Sequence, residues 1–299
     1  MFWSSARYTF PLPADHRFPI AKYELLRQRV IAEGIAGPDQ VHEPQRATRE
    51  ALLRVHTERY VDALTAGTLD GAALRRLGFP WSEALVERSY RAVGGTVAAA
   101  HHALSAGIAM NLAGGTHHAF PDRGEGFCVF NDVAIAIRAV QADGRVRRAA
   151  IVDLDVHQGN GTNAVFDGDD SVFTFSMHGR RNYPFTKVPG SLDVELDDGC
   201  GDDEYLALLE AALPRVIAES RPDLIVYLAG ADPHENDRLG RLRLTAPGLA
   251  RRDVVVLQSA REVGIPVAIT IAGGYGRDIG VTVDVHLATA RLAAEFSRT

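Results

Sequence analysis

The stretch "IVDLDVHQGNG", residues 151–161, begins like a buried β-strand and ends in polar side chains. Together with the preceding residues from Ala149 onward, its apolar part is typical of a strand that is covered on both faces of a sheet. Asp153, Asp155 and His157 are spaced two apart, so they would share one face if the chain stayed extended through His157. A strand that ends in two acids and a histidine predicts a ligand-binding or catalytic site at its carboxyl end.

Apolar runs of strand length occur at five places and alternate with helical patterns, as is typical of an α/β fold. We therefore predict a single α/β domain over 1–299, with a mostly parallel central sheet and helices on both faces; 299 residues suit one large domain. The predicted strands are Ile108–Leu112, Ala149–Val156, Val172–Met177, Leu224–Leu228 and Val267–Ile271. Helical patterns cover 20–67 with polar breaks, then 83–106, 131–142, 203–219 and 247–263.

Each predicted strand is followed by a loop rich in Gly, Asp, His or Tyr. In chain order these loops read "AGGTHH", "DVHQGNG", "SMHG", "AGADPHEND" and "AGGYG". In open parallel sheets, ligands bind in the crevice beyond the carboxyl ends of the strands. Five loops that are distant in sequence are thus expected to converge on one active site.

The composition narrows the classes of partner and compartment. A formal net charge of −6, with no basic stripe, argues against nucleic-acid binding and against an anionic membrane surface. Cys128 and Cys200 do not make a disulfide framework, so we expect a reducing, cytoplasmic location. The first 20 residues lack the pattern of a signal peptide, and the Ala-rich stretch from Val97 to Leu112 is interrupted by histidines, which predicts a buried helix and no membrane span.

Asp155, His157 and Asp232 are candidate metal ligands. Carboxylates and a neutral imidazole suit Zn²⁺ or Fe²⁺, and three protein ligands with one open position are typical of catalytic zinc. The competing interpretation is that Asp153 and Asp155 are helix caps or hydrogen-bonded structural acids. The other polar loops at the same sheet edge favour the metal site.

His117 and His118 follow two glycines at a strand end, and either could act as general base for a metal-activated water. Adjacent residues of an extended chain point in opposite directions, so both reach one site only if Gly114 and Gly115 allow a turn. Tyr275, also after two glycines, could donate a hydrogen bond to a developing oxyanion. Taken alone, Tyr275 would be explained equally well by packing.

Six segments together resemble the zinc-dependent histone deacetylase family, within the arginase/deacetylase superfamily. They are "GGTHHAF", "GEGFCVFNDVAIA", "IVDLDVHQGNGT", "FSMHG", "LAGADPHENDRLG" and "AGGYG", in the family's order and spacing, within a match from about Asp15 to residue 290. The form "DVHQGNG" looks most like the class IV branch and its bacterial relatives.

The resemblance implies a role for each matching residue. Asp155, His157 and Asp232 match the zinc ligands, and His117 and His118 match the tandem catalytic histidines, the second of which is the main proton-transfer group. Four further roles are implied by the same match. Asp153 matches the partner of the first histidine, and Asp153 and Ser176 match ligands of a structural potassium ion. Tyr275 matches the group that polarises the scissile carbonyl, and the walls of the acyl-lysine channel are matched by Gly126 and Phe127 and, on the opposite side, by Tyr183.

Two positions depart from the family pattern. Asn160 stands where many members have an acid that partners the second histidine; an amide can fix the tautomer but should raise the histidine's basicity less. The segment His234 to Asp237 puts unusual bulk and charge near the expected channel entrance, and a solvent-exposed loop explains it equally well. Cys128, close to the channel, is expected to be a buried, unreactive thiol.

The implied activity is metal-dependent amide hydrolysis that removes acetyl or longer acyl groups from lysine side chains of proteins or peptides. Hydrolysis of small acylated amines such as acetylpolyamines is the alternative within the same chemistry. A non-catalytic acyl-lysine or metabolite binding module is disfavoured because the ligands, His118 and Tyr275 are all present. A two-metal, arginase-like site would need more Asp and His pairs than this sequence contains.

Overall fold

In a computed structural model, which describes residues 1–297, eight β-strands form one sheet in which all neighbours are parallel. The order across the sheet is β2-β1-β3-β8-β7-β4-β5-β6. The strands are β1 (Phe2–Trp3), β2 (Val41–His42), β3 (Ile108–Asn111), β4 (Ala149–Asp153), β5 (Val172–Gly179), β6 (Leu192–Leu196), β7 (Leu224–Ala229) and β8 (Val267–Ile271).

Ten α-helices and one 3₁₀ turn (Pro38–Gln40) accompany the sheet within the described residues. Polar N-caps fix several helix starts; for example, Oδ1 of Asn131 accepts the N–H of Ala134 at 3.0 Å. The helices are α1 (Lys22–Ala32), α2 (Arg49–Leu53), α3 (Glu58–Thr65), α4 (Gly71–Leu77), α5 (Glu83–Ala106), α6 (Asp132–Ala142), α7 (Asn160–Val165), α8 (Asp202–Ser220), α9 (Ala246–Glu262) and α10 (Ile279–Phe296).

The central strands are buried on both faces, as their continuous apolar sequences predict. Alternate residues of β4 enter different cores: Ala150 and Val152 pack with α1, α8, α9 and α10, whereas Ala149 and Ile151 pack with α5 and α6. The domain therefore has three layers, with helices on both faces of the sheet. This arrangement confirms the predicted fold class, and every strand pair is parallel.

The predicted elements differ from the structure mainly at edges and ends. β4 ends at Asp153 and does not continue to Val156, because the chain turns there. The pattern missed β1 and β2, which have only two residues each, and β6, a partly exposed edge strand. Three helices were also missed: α4 and α7, which are short, and α10, which begins at the N-cap Asp278. Residues 298 and 299 of the predicted domain lie outside the described residues.

Among residues 1–297, none of the helices is long and apolar enough to span a membrane. The Ala-rich stretch that raised this question lies mostly in α5, which packs against α6 and the sheet, as predicted.

Candidate active site

The five polar loops leave five strands that are contiguous in the sheet. β3, β8, β7, β4 and β5 follow one another in this order, and all are parallel. Their carboxyl ends therefore lie along the same edge. The convergence predicted from the sequence is confirmed, and it brings together residues from positions 115 to 275.

Asp155, His157 and Asp232 form a buried cluster at this edge. One potential ligand atom from each lies within 4.8 Å of the other two. Nδ1 of His157 lies 2.9 Å from Oδ1 of Asp155 and 3.2 Å from Oδ2 of Asp232. Within residues 1–297, this is the one cluster of three His, Cys, Asp or Glu side chains with such spacing. The three residues predicted as metal ligands are thus within reach of a single ion.

Backbone N–H groups hold the two carboxylates but leave one oxygen open. Gly273 donates to Oδ2 of Asp155 at 2.6 Å, and Val156 donates to Oδ1 of Asp232 at 2.9 Å. Oδ2 of Asp232 is buried and receives no hydrogen bond from the described residues. A buried carboxylate oxygen without a donor is costly unless a cation binds it. The donor set of two carboxylates and one imidazole therefore fits a metal ion.

Gly273 is required here by close approach. A Cβ atom at this position would lie 1.8 Å from Oδ2 of Asp232 and 2.6 Å from Oδ2 of Asp155. No larger residue fits without displacing a carboxylate. The glycines of "AGGYG" thus let the backbone after β8 pass directly over the acids.

A turn assembles the cluster, and extended geometry does not persist through His157. The N–H of His157 donates to Oδ1 of Asp155 at 2.9 Å, which bends the chain just beyond β4. Asp153 is still within the strand; its Oδ1 accepts the N–H of Asp155 at 3.2 Å and its Oδ2 contacts His117. The condition under which Asp153, Asp155 and His157 would share one strand face is therefore not met, although Asp155 and His157 still lie beside each other.

The electrostatics of the cluster favour a cation. Burial raises the pKa of Asp232, and the nearby charge of Asp155 raises it further, to about 7. Burial alone would lower the pKa of His157, but the two neighbouring carboxylates raise it to about 10. Two adjacent buried acids thus attract positive charge, which a divalent cation would supply.

The two histidines of "GGTHH" are folded together, with ring centroids 4.2 Å apart. Nδ1 of His117 donates to Oδ2 of Asp153 at 2.6 Å, and Nδ1 of His118 lies 2.6 Å from Oδ1 of Asn160. Burial would lower the pKa of His117, but the charges of Asp153 and Asp155 raise it to about 9. Burial and the charges of its histidine neighbours hold the pKa of His118 well below its usual value. One imidazole is thus cationic and the other neutral at neutral pH.

Asn160 is itself hydrogen-bonded to a carboxylate, that of Glu125. Nδ2 of Asn160 donates to Oε1 of Glu125 at 3.3 Å, and the same oxygen accepts a hydrogen bond from the hydroxyl of Tyr183. This contact orients the amide so that its oxygen accepts the Nδ1–H of His118, leaving Nε2 as the free lone pair. The sequence analysis missed Glu125, since no spacing rule links it to the "DVHQGNG" loop.

Tyr275 is buried, and its backbone is held on both sides. Its N–H donates to Oδ2 of Asp237 at 2.6 Å, and its C=O accepts from Nε of Arg238 at 2.9 Å. Burial raises the pKa of the phenol well above its usual value, so the hydroxyl stays protonated and can act as a donor. Asp237 belongs to the segment for which an exposed loop was one interpretation. Glu235 and Asn236 are exposed, whereas His234 is buried and the Asp237 carboxylate orders the tyrosine loop.

The predicted channel residues surround a cavity of about 350 Å³ that reaches His118, His157 and Tyr275. Gly126 and Phe127 both have positive φ, 56° and 66°, a conformation that a phenylalanine rarely adopts. Tyr183 also lines the cavity, with its ring edge-on to His118 at 5.0 Å. A positive φ at a phenylalanine is retained only where the surrounding residues enforce it. Around the ring of Phe127 this packing comes from Phe18, Phe79 and Tyr275.

The residues predicted to hold potassium are neighbours in the sheet. Asp153 of β4 is paired in register with Ser176 of β5, and the Ser176 hydroxyl lies 2.9 Å from Nδ1 of His178. Cys128 is buried, and burial raises the pKa of its thiol well above its usual value, so it is not a thiolate nucleophile.

Arg252 is a buried support that the sequence analysis did not identify. Its Nη1 donates to the C=O of Gly230 at 2.6 Å and to that of Leu154 at 3.3 Å, residues that immediately precede the loops carrying Asp232 and Asp155. Its charge is balanced by Asp253, 2.8 Å away, which also accepts from the hydroxyls of Tyr227 and Thr289, each at 2.5 Å. One ion pair thus ties the loops that carry Asp155 and Asp232 to α9 and α10.

Fold and site together define an α/β protein whose strand ends carry a potential metal triad, two histidines and a tyrosine. Residues 16–290 match the histone deacetylase domain family. The chain is 46% identical to an uncharacterised protein of Picosynechococcus sp., over 96% of each chain. It is 33% identical to Histone deacetylase 2 of Arabidopsis thaliana, covering 87% of this chain and 70% of that one.

A solved structure has the same fold. The crystal structure of an HDAC homologue from Aquifex aeolicus superposes with a TM-score of 0.86 and 25% identity, covering 99% of this chain and 83% of that one. The protein belongs to the histone deacetylase family, as the resemblance in its sequence implied, and it is accordingly a hydrolase of the deacetylase class.

Proposed function

We propose that this protein is a zinc-dependent deacylase that removes acetyl or longer acyl groups from lysine side chains, with the whole chain 1–299 acting as one catalytic domain. The observation that carries the proposal is that His118, Tyr275 and His157 of the Asp155–His157–Asp232 cluster line one cavity. The "DVHQGNG" loop supports placing the chain with the class IV-like branch.

Asp155, His157 and Asp232 would hold the ion; the donor set favours Zn²⁺ and also suits Fe²⁺. A divalent cation bound there supplies Lewis acidity, which polarises the acyl carbonyl and makes a neighbouring water easier to deprotonate. Two aspartate ligands neutralise much of that charge. The side chains around the cluster must therefore carry a large share of the proton transfer and of the charge stabilisation.

His118 is the proposed general base and acid. With its Nδ1–H donated to Asn160, Nε2 can accept a proton from the attacking water as the water oxygen bonds to the acyl carbon. When the carbon–nitrogen bond breaks, His118 returns this proton to the leaving nitrogen. The products are a carboxylate and the free amine of lysine.

Tyr275 and His117 stabilise negative charge in this scheme. The hydroxyl of Tyr275, protonated because it is buried, donates to the oxygen on which charge develops. His117, charged through its contact with Asp153, adds a fixed positive charge beside the base. Asp153 and Ser176 would also hold a structural potassium ion behind the loop, which would fix the position of these groups.

Two alternatives use the same residues differently. An acetylpolyamine substrate is cationic, but the charged side chains that line the cavity mouth are arginines, so this alternative is disfavoured. A non-catalytic binding module would have no use for a neutral histidine and a tyrosine donor beside the metal cluster. The proposal includes a reducing, cytoplasmic location, which both cysteines, buried and free of disulfides, support.

The test is hydrolysis of acyl-lysine peptides from acetyl to myristoyl by the zinc-loaded full-length protein, with Tyr275→Phe as the matched control. We expect turnover that collapses in the variant, and the preferred chain length defines the acyl class. If the zinc-loaded protein hydrolyses no peptide in the panel, the lysine-deacylase proposal is wrong.

A further inference from the structure

The mouth of the active-site cavity carries charge of one sign. Three of the side chains that line the cavity are arginines, and none of its lining residues is acidic. We call Arg17, Arg181 and Arg241 the rim. The chain as a whole has a net charge of −6, with 38 acidic against 32 basic residues. The rim is therefore opposite in sign to the molecule that carries it.

Few carboxylates neutralise the rim. Arg181 and Arg241 share a single acid, Asp198, at 3.8 and 3.1 Å. Arg17 is exposed, and within residues 1–297 it forms no ion pair with a carboxylate. Arg238, next to the rim, donates to the backbone oxygens of Tyr275 and Arg17 and adds a further positive charge. The mouth of the cavity thus keeps an excess of guanidinium groups.

The segments that carry Arg181 and Arg241 are hydrogen-bonded to each other, which keeps both positions beside the cavity. Nδ2 of Asn182 donates to the C=O of Leu239 at 2.8 Å, and Oδ1 of Asn182 accepts the N–H of Arg241 at 3.2 Å. The ammonium group of Lys187 donates to the C=O of Asn182 at 2.7 Å and to that of Pro184 at 2.6 Å. The rim is therefore part of an ordered surface around the channel.

We propose that the substrate is a polypeptide in which acidic residues flank the acyl-lysine. This inference rests on the proposed lysine-deacylase function and deepens it. The acylated lysine side chain that enters the channel is uncharged, so the rim has no charge to pair with there. The rim can therefore act only on the residues that flank the acyl-lysine. Guanidinium groups bind carboxylates through paired hydrogen bonds, and they repel positively charged groups placed opposite them at an interface. Flanking Asp and Glu residues fit this mouth, whereas Lys- and Arg-rich segments are repelled.

The side chain of Phe185 supports a polypeptide as the partner. It lines the same cavity and is 85% exposed, although it is a large apolar residue. An exposed aromatic ring beside a channel offers an apolar contact to a chain that lies across the entrance. A free acylated amine would end inside the channel and would leave both Phe185 and the rim without a role.

The experiment compares three peptides of equal length with the same acyl group at a central lysine, flanked by acidic, neutral or basic residues. The zinc-loaded full-length protein is used, and kcat/KM is measured for each. We expect the acidic peptide to exceed the basic one by about tenfold, since an exposed charge pair contributes about two- to fivefold. In Arg17→Gln/Arg181→Gln/Arg241→Gln, the ratio should fall to within about twofold.

Arg251→Gln is the matched control, because Arg251 is an exposed arginine of α9 that does not line the cavity; it should keep the tenfold ratio. Hydrolysis of the neutral peptide together with an equal or higher rate on the basic peptide would overturn the inference and leave the deacylase function standing. Loss of the ratio in the control as well would also overturn it. Failure to hydrolyse any of the three peptides would instead count against the deacylase function itself.

Discussion

The bottom and the mouth of the cavity differ in how far their polar and charged side chains are buried. At the bottom lie five residues that we call the floor, each at most 9% exposed: Asp155, His157, Asp232, His118 and Tyr275. At the mouth, the side chains of Arg181 and Arg241 are 75% and 53% exposed. Buried charges interact strongly and are screened little by salt. Each exposed charge pair contributes only a small interaction energy, which salt weakens further. Under the proposed function, the floor carries the chemistry and the rim sets which substrates are preferred.

The largest effect is expected from Asp232→Asn. The amide keeps the volume of the side chain but removes the charge and the open carboxylate oxygen that faces His157. We expect the variant to retain no stoichiometric zinc after dialysis and to hydrolyse peptides no faster than the metal-free protein. Asp203→Asn, at an exposed acid of α8, is the control and should bind one zinc per chain. Full zinc content in Asp232→Asn would remove this residue from the ligand set.

Tyr275→Phe tests the donor in the floor. Loss of one oxyanion donor costs about 10²–10³ in kcat, and the phenylalanine ring preserves the packing against Phe127. We expect kcat to fall by this factor with little change in KM, since the hydroxyl acts mainly on charge that develops during the reaction. Steady-state kinetics on the neutral peptide measure both constants. A change confined to KM would instead make Tyr275 a substrate-binding group.

Arg252→Met tests whether the buried Arg252–Asp253 ion pair stabilises the loops that carry Asp155 and Asp232. The change leaves Asp253 buried without its partner and frees the two backbone oxygens that the guanidinium holds. Breaking a buried pair in this way costs about 3–5 kcal/mol of unfolding free energy. Urea unfolding of the variant measures it, with Arg251→Met as the control at the exposed neighbour. If the variant matches the control in stability, the ion pair does not support the loops.

Asn160→Asp tests the neutral partner of His118. A carboxylate next to Nδ1 would raise the pKa of His118, which burial and the neighbouring histidines now hold well below its usual value. Because the base works only when deprotonated, the acid limb of the kcat/KM profile should move to higher pH by about one unit or more. The profile of Asn163→Asp, nearby on α7, serves as the reference. An unmoved acid limb would mean that another group sets it.

The smallest effect concerns salt and distinguishes rim from floor. Raising ionic strength from about 0.05 to about 0.5 M shortens the screening length to a few ångströms and weakens exposed charge pairs. We expect kcat/KM for the acidic peptide to fall by about three- to fivefold, while the neutral peptide changes by less than about twofold. Equal salt dependence for both peptides would contradict the division of roles between the two regions.

The same contrast explains what could be read from the sequence. The five strands under the floor are continuous apolar runs, and the loops after them carry distinctive residue types, so both the fold class and the convergence of loops were predictable. The two-residue strands β1 and β2 have no pattern of their own, since only the pairing of β1 with β3 and of β2 with β1 defines them. The turn at Asp155 depends on a local hydrogen bond, which the spacing of residues does not reveal.

The residues that support or surround the floor were not predictable for a different reason. Glu125, Asp237 and Arg252 act through contacts with residues far away in the chain, and single charged residues are common on protein surfaces. The rim arginines lie in three separate segments, so their common sign appears only when the fold brings them together. The catalytic roles assigned to His117, His118 and Tyr275 and the channel roles of Gly126 and Phe127 stay predictions until activity is measured.

The most direct test of the account is a zinc titration of the metal-free full-length protein, with hydrolysis of the best neutral acyl-lysine peptide measured at each point. The account predicts that activity rises linearly with bound zinc, levels off at one ion per chain, and disappears again when the ion is chelated. Full hydrolysis by the metal-free protein would contradict it, as would one tightly bound zinc with no hydrolysis of any peptide.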